Sequence, residues 1–114
     1  MVSYGYTVYR TDGTVTRGAV DWPDDGPSYK QIKALVEPIV GEPMEHVRVL
    51  DPGSDDYRDM FVDEMGHMRA EPKPRNDAAT ALYRNNWLVH EGGAPEDLPW
   101  IAGDAIVFDR VVWS

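Results

Sequence analysis

The chain has 114 residues, a length that fits one domain with a modest core. It carries 20 acidic against 11 basic side chains, a formal charge of −9, and no cysteine. The missing cysteine excludes disulfides, thiolate zinc sites and cysteine nucleophiles together. Lys and Arg scattered singly along the chain disfavour direct binding to a phosphate backbone.

Residues 4–10, YGYTVYR, alternate and are rich in Tyr, Thr and Val, the composition of a strand. Thr11-Asp12-Gly13-Thr14 supplies the Asp-Gly pair of a tight hairpin turn, and TVTRGAVDW follows as the second strand, with Gly18 read as a bulge. PDDGPS is loop by composition. Ser28 then caps a helix in which Tyr29, Ile32, Leu35, Val36, Ile39 and Val40 fall at helical spacing. Lys30, Gln31, Lys33 and Glu37 occupy the opposite, polar face. Pro38 lacks the donor for the Ala34 carbonyl and should kink or end this helix, with Gly41 as its stop.

MEHVRVLD reads as a half-buried strand, with Val47 and Val49 on one face and His46 and Arg48 on the other. After the turn-rich PGSDDY comes a further strand, RDMFVDE, and EMGHMR is expected to turn it into a hairpin partner, with Gly66 at positive φ. Beyond PKPRND, Asn76 or Asp77 caps a second helix whose inner stripe is Ala78, Ala79, Leu82, Tyr83, Asn86 and Trp87; Gly92-Gly93 ends it. APEDLPWIAG is a loop, and DAIVFDRVVW is the last strand, whose near-continuous apolar run suits a central position. The order is β-β-α-β-β-β-α-β. It describes a single compact α+β domain over residues 1–114, with a mostly antiparallel sheet and two helices.

No stretch of about 18 apolar residues suggests a membrane span. The N-terminus MVSYGYTVYR lacks a basic segment followed by an apolar run, so a cytoplasmic address is expected. Asp63, Glu64 and His67 lie within five positions and offer oxygen and imidazole ligands. On a hairpin, however, Asp63 and Glu64 point to opposite faces, and two convergent ligands are too few for a tight site. The expectation is a solvated hairpin tip, with no metal and no cofactor. DPGSDDYRDMFV begins like a calcium loop, but Gly53 replaces an acidic ligand, Asp56 stands where glycine is needed, and Val62 replaces the closing glutamate. His46, His67 and His90 sit on three different elements, and no phosphate-cradling loop or nucleophile elbow is present. Trp87 and Trp113 are expected in the core. Trp22 and Trp100, in loops beside prolines, either cover core edges or serve as exposed anchors for a partner, and the lid is favoured.

MFVDEMGHMRAEPKPRNDAATALYR followed by WIAGDAIVF resembles a family of small uncharacterised domains common on phage, plasmid and related bacterial genomes. The similarity rests on Val62, Asp63, Glu64, Gly66, Asn76, Ala79, Thr80, Leu82, Ile101, Gly103 and Asp104. YKQIKALVEPIVGEPMEHVRVL looks like the family's helix–glycine–strand unit, so the resemblance covers roughly residues 28 to 109. It implies a cytoplasmic accessory protein, often borne on a mobile element, with no known cofactor and no activity to carry over.

The leading functional expectation is a non-enzymatic acidic interaction protein with a basic protein partner and without direct nucleic-acid or membrane binding. A narrower version is an anti-defence inhibitor that occupies the basic channel of a nucleic-acid-binding host enzyme. The candidate surface is Asp24, Asp25, Asp55, Asp56, Asp63 and Glu64 with Trp22 and Trp100. The alternative, a small-ligand protein or enzyme, requires Asp63, Glu64, His67 and Asp104 to converge.

Overall fold

The computed structural model describes residues 1–50, 56–90 and 99–113, the side chains of 86–90 excepted. Strands β1 (Val2–Tyr9) and β2 (Val15–Trp22) form the N-terminal hairpin, and its turn is the expected one: Gly13 has φ 89° and the Asp12 carboxylate accepts from the Thr14 amide at 2.8 Å. Their register runs unbroken from Val2↔Trp22 to Tyr9↔Val15, so Gly18 is not a bulge. It faces Tyr6, and a Cβ there would stand 2.5 Å from the Tyr6 ring. The glycine makes room for an aromatic ring lying across the hairpin, a cross-strand pairing that offsets the poor strand propensity of glycine.

Helix α1 (Tyr29–Val40) starts with a reciprocal cap: Ser28 Oγ accepts from the Gln31 amide at 3.2 Å and Gln31 Oε1 accepts from the Ser28 amide at 2.8 Å. Pro38 does not stop the helix. It lies on the exposed side of the last turn, and the Gly41 amide closes the helix on the Glu37 carbonyl at 2.9 Å. Glu37 is not part of the polar face as its neighbours suggested. It is buried, with Oε2 accepting from the Met44 amide at 3.3 Å and Oε1 3.7 Å from Lys33 Nζ. A carboxylate thereby satisfies a backbone donor at the start of the next strand.

Strands β3 (Met44–Leu50), β4 (Tyr57–Asp63) and β5 (Ala105–Phe108) complete one antiparallel sheet of order β2-β1-β5-β4-β3. The chain is therefore α+β, and its last strand is central, as its apolar run implied. That strand is shorter than expected: it ends at Phe108, and residues 109–113 leave the sheet. Residues 64–70 form consecutive turns rather than a strand. The reason is topological: β4 is already paired on both edges, with β3 and β5, so a hairpin partner following it has no edge to join.

The two helices take opposite faces of the sheet. Ile32, Val36 and Val40 of α1 pack with Tyr4, Trp22, Phe61, Ile106 and Phe108. Ala79 of helix α2 (Asp77–His90), with Leu82 and Tyr83 beside it, packs with Met60, Val62, Ala105 and Val107. Trp22 is thus a core residue, 4% exposed at the end of β2, rather than a loop tryptophan. Ala78 is exposed, and the side chains of Asn86 and Trp87 lie outside the described residues. Asn76 is the cap: its Oδ1 accepts from the Ala79 amide at 3.1 Å, while its Nδ2 donates to the carbonyls of Tyr9 and Gly103 at 2.8 and 2.9 Å. Asp77 instead pairs with Arg75 at 3.1 Å. No helix among the described residues is long and apolar enough to cross a membrane.

Gly66 is required for a reason other than the expected one. It is not among the glycines with positive φ, but a Cβ there would meet the Ala102 carbonyl oxygen at 2.8 Å and the Ala102 Cβ at 3.3 Å. The constraint is close approach of two backbones, so every side chain is penalised and asparagine gains no advantage. Gly66→Ala is expected to destabilise by about 1–3 kcal/mol, as overpacking does, with Gly66→Asn at least as costly. Urea unfolding measures both, and an Asn variant more stable than the Ala variant would return the position to a left-handed turn.

Candidate functional site

Strand β4 is covered on both faces, so its alternation buries charge as well as apolar side chains. Met60 and Val62 face α2, while Phe61 faces α1 with Asp59 and Asp63 flanking it. Asp59 and Asp63 are 0% and 4% exposed. Asp63 is therefore not a solvated hairpin tip. Arg69 grips it bidentately, Nε to Oδ2 at 2.6 Å and Nη2 to Oδ1 at 2.9 Å; Lys73 Nζ lies 2.8 Å from Oδ2 and the Met65 amide donates to Oδ1 at 3.0 Å. The same cations reach backward, Lys73 to the Val40 carbonyl at 2.8 Å and Arg69 to the Glu42 carbonyl at 2.9 Å. Burial by itself raises the pKa of this carboxyl, but the bonds from Arg69, Lys73 and the Met65 amide outweigh it and hold the value at about 2, below the ordinary 3.8. The cluster joins the end of α1 to the turns after β4.

Gly41 completes this arrangement. Its φ of 120° disfavours any side chain, and a Cβ there would stand 2.9 Å from Asp63 Oδ2 and 3.0 Å from Lys73 Nζ. The glycine lets the helix end lie directly against the ion cluster.

Of the four residues whose convergence an acid–base site would need, Asp63, Glu64 and His67 border one hollow and Asp104 does not. Asp104 immediately precedes β5, at the same end of the sheet as Asp63, but its carboxylate is turned to the β1 hairpin, with Oδ2 3.2 Å from Arg10 Nη1 and Oδ1 accepting from the Thr11 amide at 3.0 Å. Asp63 has both oxygens engaged by cations. His67 Nε2 lies 2.7 Å from the Trp100 carbonyl; a carbonyl only accepts, so this nitrogen is the donor. The two rings meet edge to face at 4.2 Å. Among the described residues no group of three or more His, Asp and Glu is arranged to hold a metal ion.

What these residues build instead is a hollow of about 180 Å³ on the α2 side of the β3–β4 edge. Glu45 and Glu64 flank it, Val47 and Val62 lie on its sheet side, and Tyr83 and Trp100 are its aromatic walls. Glu45 pairs across the strands with Val62, which puts its side chain over the same face as Val47, and Glu64 follows one turn residue beyond β4. Both glutamates are exposed, and neither has an ion-pair partner among the described residues.

A second buried carboxylate escaped the sequence reading. Asp59 Oδ1 lies 2.7 Å from His46 Nε2 and accepts from Arg48 Nε at 3.3 Å, while Oδ2 accepts from the amides of Val112 and Trp113 at 2.7 and 2.9 Å. The His46 ring lies 5.3 Å from Phe61 and 5.2 Å from Trp113. Trp113 is 38% exposed, covering the core edge rather than sitting within it. The signal was present: residues 59, 61 and 63 share one strand face, and Phe61 marks that face as core.

Of the remaining candidate surface residues, Asp24 and Asp25 are exposed beyond β2, and Asp24 pairs with the terminal amine at 3.1 Å. Asp56 is exposed at the start of β4, and Asp55 lies outside the described residues. Trp100 is half-buried. Comparison of the chain with protein-family models, with curated protein sequences and with solved structures finds no match.

Proposed function

We propose that this protein is a non-enzymatic interaction module whose acidic surface docks a basic protein partner. The observation that supports the reading is how its cations are spent. Arg10 pairs with Asp104, Lys33 with Glu37, Arg48 with Asp59, Arg69 and Lys73 with Asp63, Arg75 with Asp77 and Arg110 with Asp109; at least seven of the 11 basic side chains are thus tied to the protein's own carboxylates. Asp21, Asp25, Glu45 and Glu64 meanwhile stand exposed with no ion pair among the described residues. A surface of this kind repels phosphate backbones and steers cationic proteins toward itself. Within this reading, an accessory role on a mobile element, with the basic channel of a nucleic-acid-binding enzyme as target, suits both the surface and the resemblance of residues 28–109.

The test is a charge-neutralised variant, Asp24→Asn, Asp25→Asn, Asp56→Asn and Glu64→Gln, that leaves Asp63 intact because its charge holds the fold. The variant is expected to keep its melting temperature and to lose a basic protein that the wild type retains from cells producing it. Retention by the wild type should fall steeply with salt, since exposed charges are screened over about 8 to 10 Å. A variant that holds the same partner with unchanged salt sensitivity would reduce the acidity to a solubility device.

A further inference from the structure

Resting on that reading, the hollow beside β3 has a chemistry more specific than general acidity. We propose that it receives the guanidinium of one arginine side chain presented by the basic partner. Three features of the hollow select this occupant. Its volume of about 180 Å³ is below the roughly 300–1,000 Å³ of sites for drug-sized ligands, so it suits one long side chain. Of its three carboxylates, Glu45 and Glu64 are exposed acids with no cation on them among the described residues, whereas the charge of Asp63 is already balanced by Arg69 and Lys73. Its walls combine the rings of Tyr83 and Trp100 with the aliphatic surface of Val47, Val62 and Ile101.

A guanidinium matches that combination better than an ammonium. It is planar and weakly hydrated, lies against aromatic rings, and offers parallel donors to carboxylates on either side. A lysine brings a compact, strongly hydrated charge that gains from the glutamates but little from the rings. His67 acts here as a positioning residue: its Nε2 donates to the Trp100 carbonyl and its ring meets the indole edge to face, which fixes the aromatic wall before any partner arrives. Pre-set walls lower the ordering cost of binding.

The probe is N-acetyl-arginine amide, titrated into the 15N-labelled full chain, with N-acetyl-lysine amide as the comparison. Saturable shifts are expected at the Trp100 indole and at the Glu45 and Glu64 amides, with weaker binding of the lysine compound. The double variant Glu45→Gln, Glu64→Gln changes two exposed side chains and should fold as wild type. It is expected to bind the arginine compound about tenfold more weakly or worse, the loss of one charge-assisted hydrogen bond or more. His67→Ala should weaken binding less and broaden the Trp100 indole signal in the free protein. Absence of a saturable response, equal binding of both compounds, or unchanged binding by the double variant would each overturn the assignment. If the salt-sensitive partner is still retained in any of those cases, the acidic-surface reading stands and only the arginine site is lost.

Discussion

Asp63→Asn is expected to lower the unfolding free energy by about 3 kcal/mol at pH 6, toward the lower end of what breaking a buried ion pair costs. The substitution leaves Arg69 and Lys73 facing each other without their shared counter-charge. Both are about one-third exposed and can turn partly to water, which moderates the loss. The effect should depend on pH in one direction only. The folded-state carboxyl titrates at about 2 against an ordinary 3.8, so its contribution is complete above the unfolded value and disappears as pH falls through the folded one. That interval corresponds to roughly 2 kcal/mol of wild-type stability lost between about pH 5 and pH 2. Urea denaturation of both proteins across this range should show their curves converging toward acid. A constant gap would mean that the variant suffers from altered packing and not from lost charge.

The second large effect is expected at Asp59. Its oxygens divide their work: one serves His46 and Arg48 on β3, the other the amides of Val112 and Trp113 on the segment beyond β5. In Asp59→Asn the amide group must point its own donors at one of these two sets, whichever way it turns. With its oxygen toward Val112 and Trp113, its amide nitrogen faces Arg48 and bonds His46 only by switching that ring's tautomer; in the other orientation it faces two amide donors, and a loss of about 3–5 kcal/mol is expected. The local signature is more telling than the global one. Hydrogen exchange of the Val112 and Trp113 amides should accelerate in the variant under native conditions, and the ring contacts of Trp113 with His46 and Phe61 should weaken in NMR spectra. Undiminished protection at both amides would show that the asparagine oxygen still serves them or that the aromatic contacts hold the segment.

Much of the fold could be read from short-range chemistry. The Asp12-Gly13 turn, the Ser28 cap and the stop at Gly41 are each decided within a few residues and appear where expected, and of the two candidate caps for α2 it is Asn76 that serves. The misreadings share the opposite property. Asp63 looked solvent-facing because its cations lie at positions 69 and 73 in an irregular segment, and Asp59 went unnoticed because its partners come from β3 and from residues 112–113. Glu37 looked polar-faced because its partner, the Met44 amide, lies across the loop that follows the helix. A charged residue pairs by geometry that periodicity does not encode. Gly66 illustrates the same limit, since its neighbour Ala102 is distant in sequence. Of the candidate surface, Glu64 and Trp100 come together with Glu45, Val47 and Tyr83, and it takes the β3–β4 register to bring Glu45 there.

The position of β5 bears on how the chain acquires its structure. The β1–β2 and β3–β4 pairs are contiguous in sequence, but among the described residues no strand pairing joins one hairpin to the other except through residues 105–108, which follow them both. Each hairpin can zip locally within microseconds, yet a lone hairpin is at best marginally stable in water. Cooperative folding must therefore wait for the central strand, and its rate is governed by closing the long chain loop from β1 to β5. During synthesis the nascent chain would hold two open sheet edges, at β1 and β4, until β5 emerges to fill both at once.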